Sequence, residues 1–394
     1  MKKGIFRKSL LVAAVSTVFL AGCGEDNAAG NEGNENDGNN NQAENTNENN
    51  ANEDTDANGG DNAAEGVPDR FSGDEEVDIR VIRKIGGDDH TAQFLAGASE
   101  EGNSLGFNVD VFTANGDTAQ FHDRISQAIQ EGVDGLVISH GDDEATYDAV
   151  QDARDAGIEV VTFDSIPELT EIDNVTVTSQ DDEALATLAL DQLVEEHDGE
   201  ANIVYLWVDG FPPMVRRNDV YMDYLDEYEG LEEVDRFGVA AEDTTVQTQN
   251  AVASMLNAHG EGEIDAIFAT WDAFAIGAAR ALNEAGRTEI DIYGIDVSNA
   301  DLEIMQEEGS PWLYTAAVDP KLIGAVNMRI LAKKLAGEET PETYDLEANI
   351  ISQEDLQNSD VPVNMESLNE IVPGWGETDA FLEDWMDVLK SQNE

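Results

Sequence analysis

Asp134-Gly-Leu-Val-Ile-Ser-His140, running on to Ile158-Glu-Val-Val-Thr-Phe-Asp164, and Asp265-Ala-Ile-Phe-Ala-Thr-Trp271, running on to Ile290-Asp-Ile-Tyr-Gly-Ile-Asp296, state one pattern twice. Each copy reads as a short apolar strand, a polar turn, a helix and a second strand that stops at an acidic residue, which is the grammar of a parallel βαβ unit. The closing aspartates stand 30 and 31 residues after the opening ones. Open parallel sheets bind ligands beyond the carboxyl ends of their strands. Both copies therefore aim small polar or aromatic groups, Ser139 and His140 in one and Thr270 and Trp271 in the other, and an aspartate, Asp164 or Asp296, at a binding edge. Two such edges make a cleft if the sheets face each other. A second reading is that the aspartates only cap the helices that follow, since Asp is a favoured N-cap.

The same alternation extends outward from the repeat. Strands are expected at 77–84, 107–112, 175–178, 203–207, 234–239 and 312–318, with a further one at 348–351. Helices are expected at 90–105, 118–131, 181–197, 213–228, 244–259, 301–308 and 320–335, several with apolar residues at helical spacing, such as Phe121, Ile125, Ala128 and Ile129. This is an α/β class chain with doubly wound parallel sheets, and at this length two domains are expected, the pattern restarting near Asp181. A closing amphipathic helix is expected at 379–389, with Phe381, Leu382, Trp385, Met386 and Leu389 on one side, and reads as packing.

The amino terminus decides the compartment. Lys2, Lys3, Arg7 and Lys8 precede an apolar run from Leu10 to Leu20, too short to span a bilayer comfortably, and Leu20-Ala-Gly-Cys23 follows. Residues 1–23 thus resemble a lipoprotein signal peptide with a lipobox, which implies that Cys23 becomes the lipid anchor on the outer face of the cell membrane. Cys23 is the sole cysteine, so the exported part has no disulfide and no cysteine metal site. Residues 24–66 contain 14 Asn, 12 Asp or Glu and no Val, Leu, Ile, Phe or Met. Such a stretch cannot offset the entropy of ordering, and 24–76 is read as a disordered acidic tether whose 24–66 part spans roughly 35–40 Å.

Residues 67–394 carry 73 acidic and 16 basic side chains. A field of that sign repels nucleic acid and anionic lipid, which confines membrane contact to the lipid anchor, and it argues against an acidic substrate. Its self-repulsion needs screening, and the Debye length is about 3 Å at molar salt, so the composition points to a salt-loving or alkaline-tolerant source.

Ile79-Arg-Val-Ile82 ahead of Asp88-Asp-His90, Leu105-Gly-Phe-Asn108, the two repeat copies, Trp271-Asp-Ala-Phe-Ala-Ile-Gly277 and Tyr293-Gly-Ile-Asp296 occur in the order found in ribose-binding-protein-like (type I periplasmic binding) proteins, and residues 77–350 resemble that family. The resemblance rests on this ordered co-occurrence, since no single motif is specific. It implies two similar lobes joined by a hinge of three crossings: 77–179 plus 319–345, and 180–318 plus the tail 346–394. It implies ligand contact from Asp88, with His90 and Thr91 close behind, from the aspartates Asp164 and Asp296, and from Arg216, while Trp271 stands where many members carry Asn. Ser139 and His140 complete the candidate set. Ribose binders have an aromatic pair at the places of His90 and Thr91, an Arg at Ser165 and a Gln near Val318; these departures tell against ribose itself and leave the sugar class standing.

The chemistry of these side chains agrees with that class. Sugar hydroxyls both donate and accept, so carboxylates and Arg make ion-assisted hydrogen bonds to them, and Trp271 can stack on an apolar ring face. Alternatives stand beside each residue: core packing for Trp271, ordinary turn roles for His90 and His140, and Arg217 in place of Arg216. The pairs Asp88-Asp89 and Asp142-Asp143 lack the spacing of a calcium loop and read as solvated turns, so no metal and no cofactor is expected.

The expected role is a lipid-anchored, monomeric binding protein that delivers a neutral monosaccharide or sugar alcohol to an ABC permease and its ATPase. A receptor for a sugar-like signal is the nearest alternative. An exported glycoside-acting enzyme is less favoured, because the chain lacks the Gly-x-Ser-x-Gly, His-Glu-x-x-His and phosphate-loop motifs.

Overall fold

In the computed structural model, the described residues are 66–73, 75–87, 89–241, 243–393. The signal peptide, Cys23, tether residues 24–65 and 74, and Asp88 lie outside them.

Two six-stranded sheets organise the chain. The first lobe is built from β1 (Asp78–Arg83), α1 (Asp89–Ser104), β2 (Asn108–Thr113), α2 (Thr118–Glu131), β3 (Gly135–Ser139), α3 (Glu144–Asp155), β4 (Glu159–Phe163) and β5 (Val175–Gln180). The second comprises α4 (Asp182–Glu196), β6 (Glu200–Leu206), α5 (Pro212–Glu227), β7 (Gly230–Phe237), α6 (Thr244–Ala258), β8 (Ala266–Ala269), α7 (Asp272–Ala285), β9 (Asp291–Ile295), α8 (Asn299–Met305) and β10 (Trp312–Ala317). Then α9 (Pro320–Leu335) and β11 (Thr343–Leu346) return to the first lobe, and β12 (Asn349–Ser352) with the short α10 (Gln353–Gln357) to the second. Strand orders are β11-β5-β4-β3-β1-β2 and β12-β10-β9-β8-β6-β7, all parallel except the β10/β12 pair. The chain passes between lobes after β5, after β10 and after β11, the three crossings expected of the hinge.

Local chemistry sets these elements. Asp117 caps α2 by accepting from Gln120 N at 3.0 Å, Gly132 ends it in the left-handed region, and Phe121, Ile125 and Ala128 bury its inner stripe. Pro320 opens α9, whose cap Asp319 accepts from Lys321 N. A Cβ on Gly97 of α1 would stand 1.8 Å from Lys321 O, so α1 and α9 cross there with no room for a side chain. Ile82, Leu136 and Ile138 pack with Phe121 on one face of the first sheet, and Ile267, Ile292 and Trp312 with Phe274 on one face of the second. The remaining faces join in a third cluster that includes Phe94, Phe163, Tyr205 and Phe268.

Several boundaries differ from the sequence expectation: β7 begins at Gly230 where 234 was expected, and the closing helix at Asp384 where 379 was expected. Ordered packing begins ahead of 77: Phe71 stacks on Trp385 and meets Phe107, and Arg70 pairs with Asp134 at 2.6 Å, so the end of the supposed tether belongs to the first lobe. The strand β11 was not expected; its residues Thr343–Leu346 gain backbone partners only by adding to the edge of β5. The tail 346–394 was expected on the second lobe. Met365, Leu368, Val372 and Trp375 do pack there. The closing helix α11 (Asp384–Asn393) instead packs on the first lobe, where Trp385 donates to Glu338 and Lys390 to Glu101. The short helix expected at 301–308 is α8, which starts earlier because Ser298 caps it.

Candidate functional site

The strand ends of each lobe are in register. Arg83 pairs with Ser139, Ser139 with Phe163 and Phe163 with Thr178 in the first sheet. In the second sheet Leu206 pairs with Ala269, Ala269 with Gly294 and Gly294 with Thr315. The residues just past these ends form the two rims of a cleft. A cavity of about 330 Å3 between the rims is lined by Arg83, His90, His140, Asp164 and Gln180 from the first lobe and by Trp271, Asp272, Asp296 and Ser298 from the second. That volume is at the lower end of the range for small-molecule sites.

Both aspartates leave their strands in the left-handed region, at φ 46° for Asp164 and 75° for Asp296. The backbone N–H of each donates to the neighbouring strand, to Thr178 O and Ala316 O respectively. An aspartate tolerates this conformation better than most side chains do, and the bend aims each carboxylate off the sheet tip. His140 does the same at φ 62°.

On the second lobe the arginines divide their work. Arg217 is 2% exposed; its Nε donates to Asp182 Oδ1 at 2.9 Å, its Nη1 to Thr270 O at 2.6 Å, and its two terminal nitrogens lie 3.3 and 3.4 Å from the oxygens of Asp296. Arg216 donates to the other oxygen of the buried Asp182 at 3.0 Å and keeps more than a third of its side chain exposed. The direct partner of Asp296 is thus Arg217, with Arg216 one residue round the helix at a neighbouring hollow. Burial raises the pKa of the Asp296 carboxyl, against the pull of Arg217 and a hydrogen bond from Gln180.

On the first lobe sequence reasoning passed over Arg83. It is almost fully buried, its Nε donates to Thr91 Oγ1 and its Nη1 to Ser139 Oγ, both at 3.1 Å, its Nη2 meets His90 Nδ1 at 3.0 Å, and its guanidinium lies over the Phe94 ring. Thr91 and Ser139 therefore act through Arg83, positioning it from buried sites. A charged residue ending the apolar run Ile79-Arg-Val-Ile-Arg83 was the available signal.

Ser139 Oγ also meets His140 Nδ1 at 2.7 Å. Burial, together with Arg83, His90 and Lys84 nearby, holds the pKa of His140 well below the usual imidazole value, so the ring is neutral at pH 7. Its Nε2 lies 3.9 Å from Asp164 Oδ2. The carboxyl of Asp164 is pushed up to about 7 by burial, reinforced by Asp182 and opposed by Arg83, Arg217 and Arg216. Its Oδ1 is buried without a hydrogen-bond partner, an acceptor left open at the cleft.

Trp271 precedes α7 and packs edge-on against Phe274, with the rest of its ring lining the cavity. Packing and cleft roles coexist there. Asp142 and Asp143 pair with Lys84, and Asp143 also meets His122 and caps α3. Asp89 accepts from Asn299 N across the cleft at 3.0 Å. Among the described residues no three metal-ligating side chains converge.

This arrangement can grip a small molecule from two sides, offering carboxylates and guanidinium groups to its oxygens and an indole to its apolar face. Residues 79–339 match the family model described as a periplasmic binding protein domain. The ribose import binding protein RbsB of Salmonella typhimurium is 25% identical over 260 residues, covering 65% of this chain and 83% of that protein. A sugar ABC transporter structure from Yersinia enterocolitica is 45% identical with a TM-score of 0.74, covering 83% of this chain and 98% of that one. The solute-binding protein of a 5-methylthioribose transporter from Thermotoga lettingae, solved with 5-methylthioribose, is 30% identical with a TM-score of 0.72, covering 80% and 99%. With its two parallel-sheet lobes and a family match across both of them, the chain belongs to the periplasmic binding proteins.

Proposed function

We propose that this protein is the solute-binding component of an ABC importer, that it captures a monosaccharide or sugar alcohol between its lobes, and that it presents the closed complex to the permease and its ATPase. The observation that carries this reading is the single cavity to which Asp164 and Asp296 contribute from corresponding places in two separate sheets. The relatives named above, which import or bind sugars, support it. A ligand touching both lobes favours the closed arrangement over the open one by the sum of contacts that only closure allows, and the permease then distinguishes loaded from empty protein. No chemistry on the ligand is needed. The export signal and Cys23 support attachment of the protein to the outer face of the membrane by lipid.

Thermal-shift measurement against pentoses, hexoses and polyols, run at high salt, tests the reading. At least one of them should raise the melting temperature and be recovered unchanged. A panel without effect, or release of product from an aryl glycoside, overturns it.

A further inference from the structure

Beside the cavity shared by the two aspartates lies a larger hollow of about 650 Å3, and Asp164 belongs to the walls of both. Its chemistry is different. Ile166 and Pro167 stand on the first-lobe side, and Phe211, Pro212 and Pro213 face them from the second. Phe211 is 46% exposed in a chain whose surface is dominated by carboxylates, and among the described residues it is the one large aromatic ring so exposed. The ring sits immediately before α5, where two successive prolines fix the backbone at the helix start. An apolar wall on each lobe, held by proline on both sides, is set to close on something apolar. The charged groups of the hollow limit what that can be. Among the described residues Glu168 and Asp345 line it without a cationic partner, Asp142 is already paired with Lys84, and the guanidinium of Arg216 is already engaged by Asp182, so an anionic group would meet negative charge with no free cation to offset it.

We infer that the ligand has two parts: a hydroxylated sugar head held between Asp164 and Asp296, and a short, uncharged, apolar substituent on it that reaches past Asp164 into the hollow between Ile166–Pro167 and Phe211–Pro213. The inference rests on the sugar reading above and narrows it to sugars carrying an O-alkyl or S-alkyl group. Apolar area buried on closure adds affinity for the substituted sugar that the parent sugar cannot gain.

Calorimetric titration of the full chain with parent pentoses and hexoses, with their methyl and ethyl O- and S-derivatives, and with their phosphate esters provides the test. At least one alkyl derivative should bind about tenfold tighter than its own parent, about 1.4 kcal/mol, phosphate esters should bind more weakly than the parent, and Phe211→Ser should erase the advantage of the alkyl derivative. Because Phe211 is exposed, that variant is expected to fold. Parents that bind as tightly as every derivative, or an advantage that survives Phe211→Ser, overturn the two-part ligand while leaving sugar binding intact. Failure of parents and derivatives alike overturns both readings.

Discussion

Asp164 and Asp296 occupy the same place in two different sheets: each follows a parallel strand with positive φ, each sends its N–H to the next strand, and both line one cavity. They differ in company. Asp296 faces a buried guanidinium, whereas Asp164 has a buried oxygen with no partner and a neutral imidazole beside it.

That difference sets the first expectation. Hydrogen bonds to charged groups contribute about 1.5–3 kcal/mol, so Asp164→Ala should weaken ligand binding by about ten- to a hundredfold. Circular dichroism should show an unchanged fold. Asp296→Ala should weaken binding similarly and also lower stability, because Arg217 then loses one of its buried partners. Titration and urea unfolding of both variants separate the effects; an Asp164→Ala protein that binds like its parent removes this residue from the site.

The pH behaviour follows from Asp164, whose carboxyl is raised to about 7 in the folded protein from the ordinary value of 3.8. The folded state holds this proton more tightly than the unfolded one, so its contribution to stability is complete below about pH 4 and is lost as pH rises through about 7. Asp164→Asn carries no such proton. The melting temperature of the parent relative to Asp164→Asn should therefore fall between pH 4 and pH 8, and a constant difference would refute the assignment.

The arginine pair offers an internal comparison. Removing one partner from a buried charge cluster costs about 3–5 kcal/mol, and Arg217→Ala leaves Asp296 without its cationic partner and Asp182 with only the half-exposed Arg216. Arg216 is half-exposed, and Asp182 retains Arg217 when it is removed. Chemical denaturation should show Arg217→Ala far less stable than Arg216→Ala. Equal losses would mean that the two side chains share the cluster.

The carboxyl-terminal strap gives a fourth expectation. Trp385, Met386 and Leu389 are nearly or fully buried against the first lobe, where Trp385 stacks on Phe71. Truncating a buried Trp to Ala typically costs about 3–5 kcal/mol, so Trp385→Ala should lower the unfolding midpoint. It should leave sugar affinity near the parental value, since the residue lies outside the cleft lining. A midpoint unmoved in denaturant would mean that α11 adds nothing to the first lobe.

The sequence alone determined the alternation of strands and helices and the two aspartates at matching strand ends, because hydrophobic period and strand-end position are local properties that survive without knowledge of contacts. It could not choose between Arg216 and Arg217, which differ by about 100° of helix turn: only the packing of α5 against α4 and the sheet decides which of them meets Asp296. Arg83 was likewise invisible as a site residue, since its partners Thr91, Ser139 and His90 come from separate elements. The edge strand β11 and the return of α11 to the first lobe depend on surfaces that exist only after the sheets have formed. Tertiary structure therefore supplied the pairings between distant segments, for which the amino-acid pattern of any one segment carries no local energetic signature.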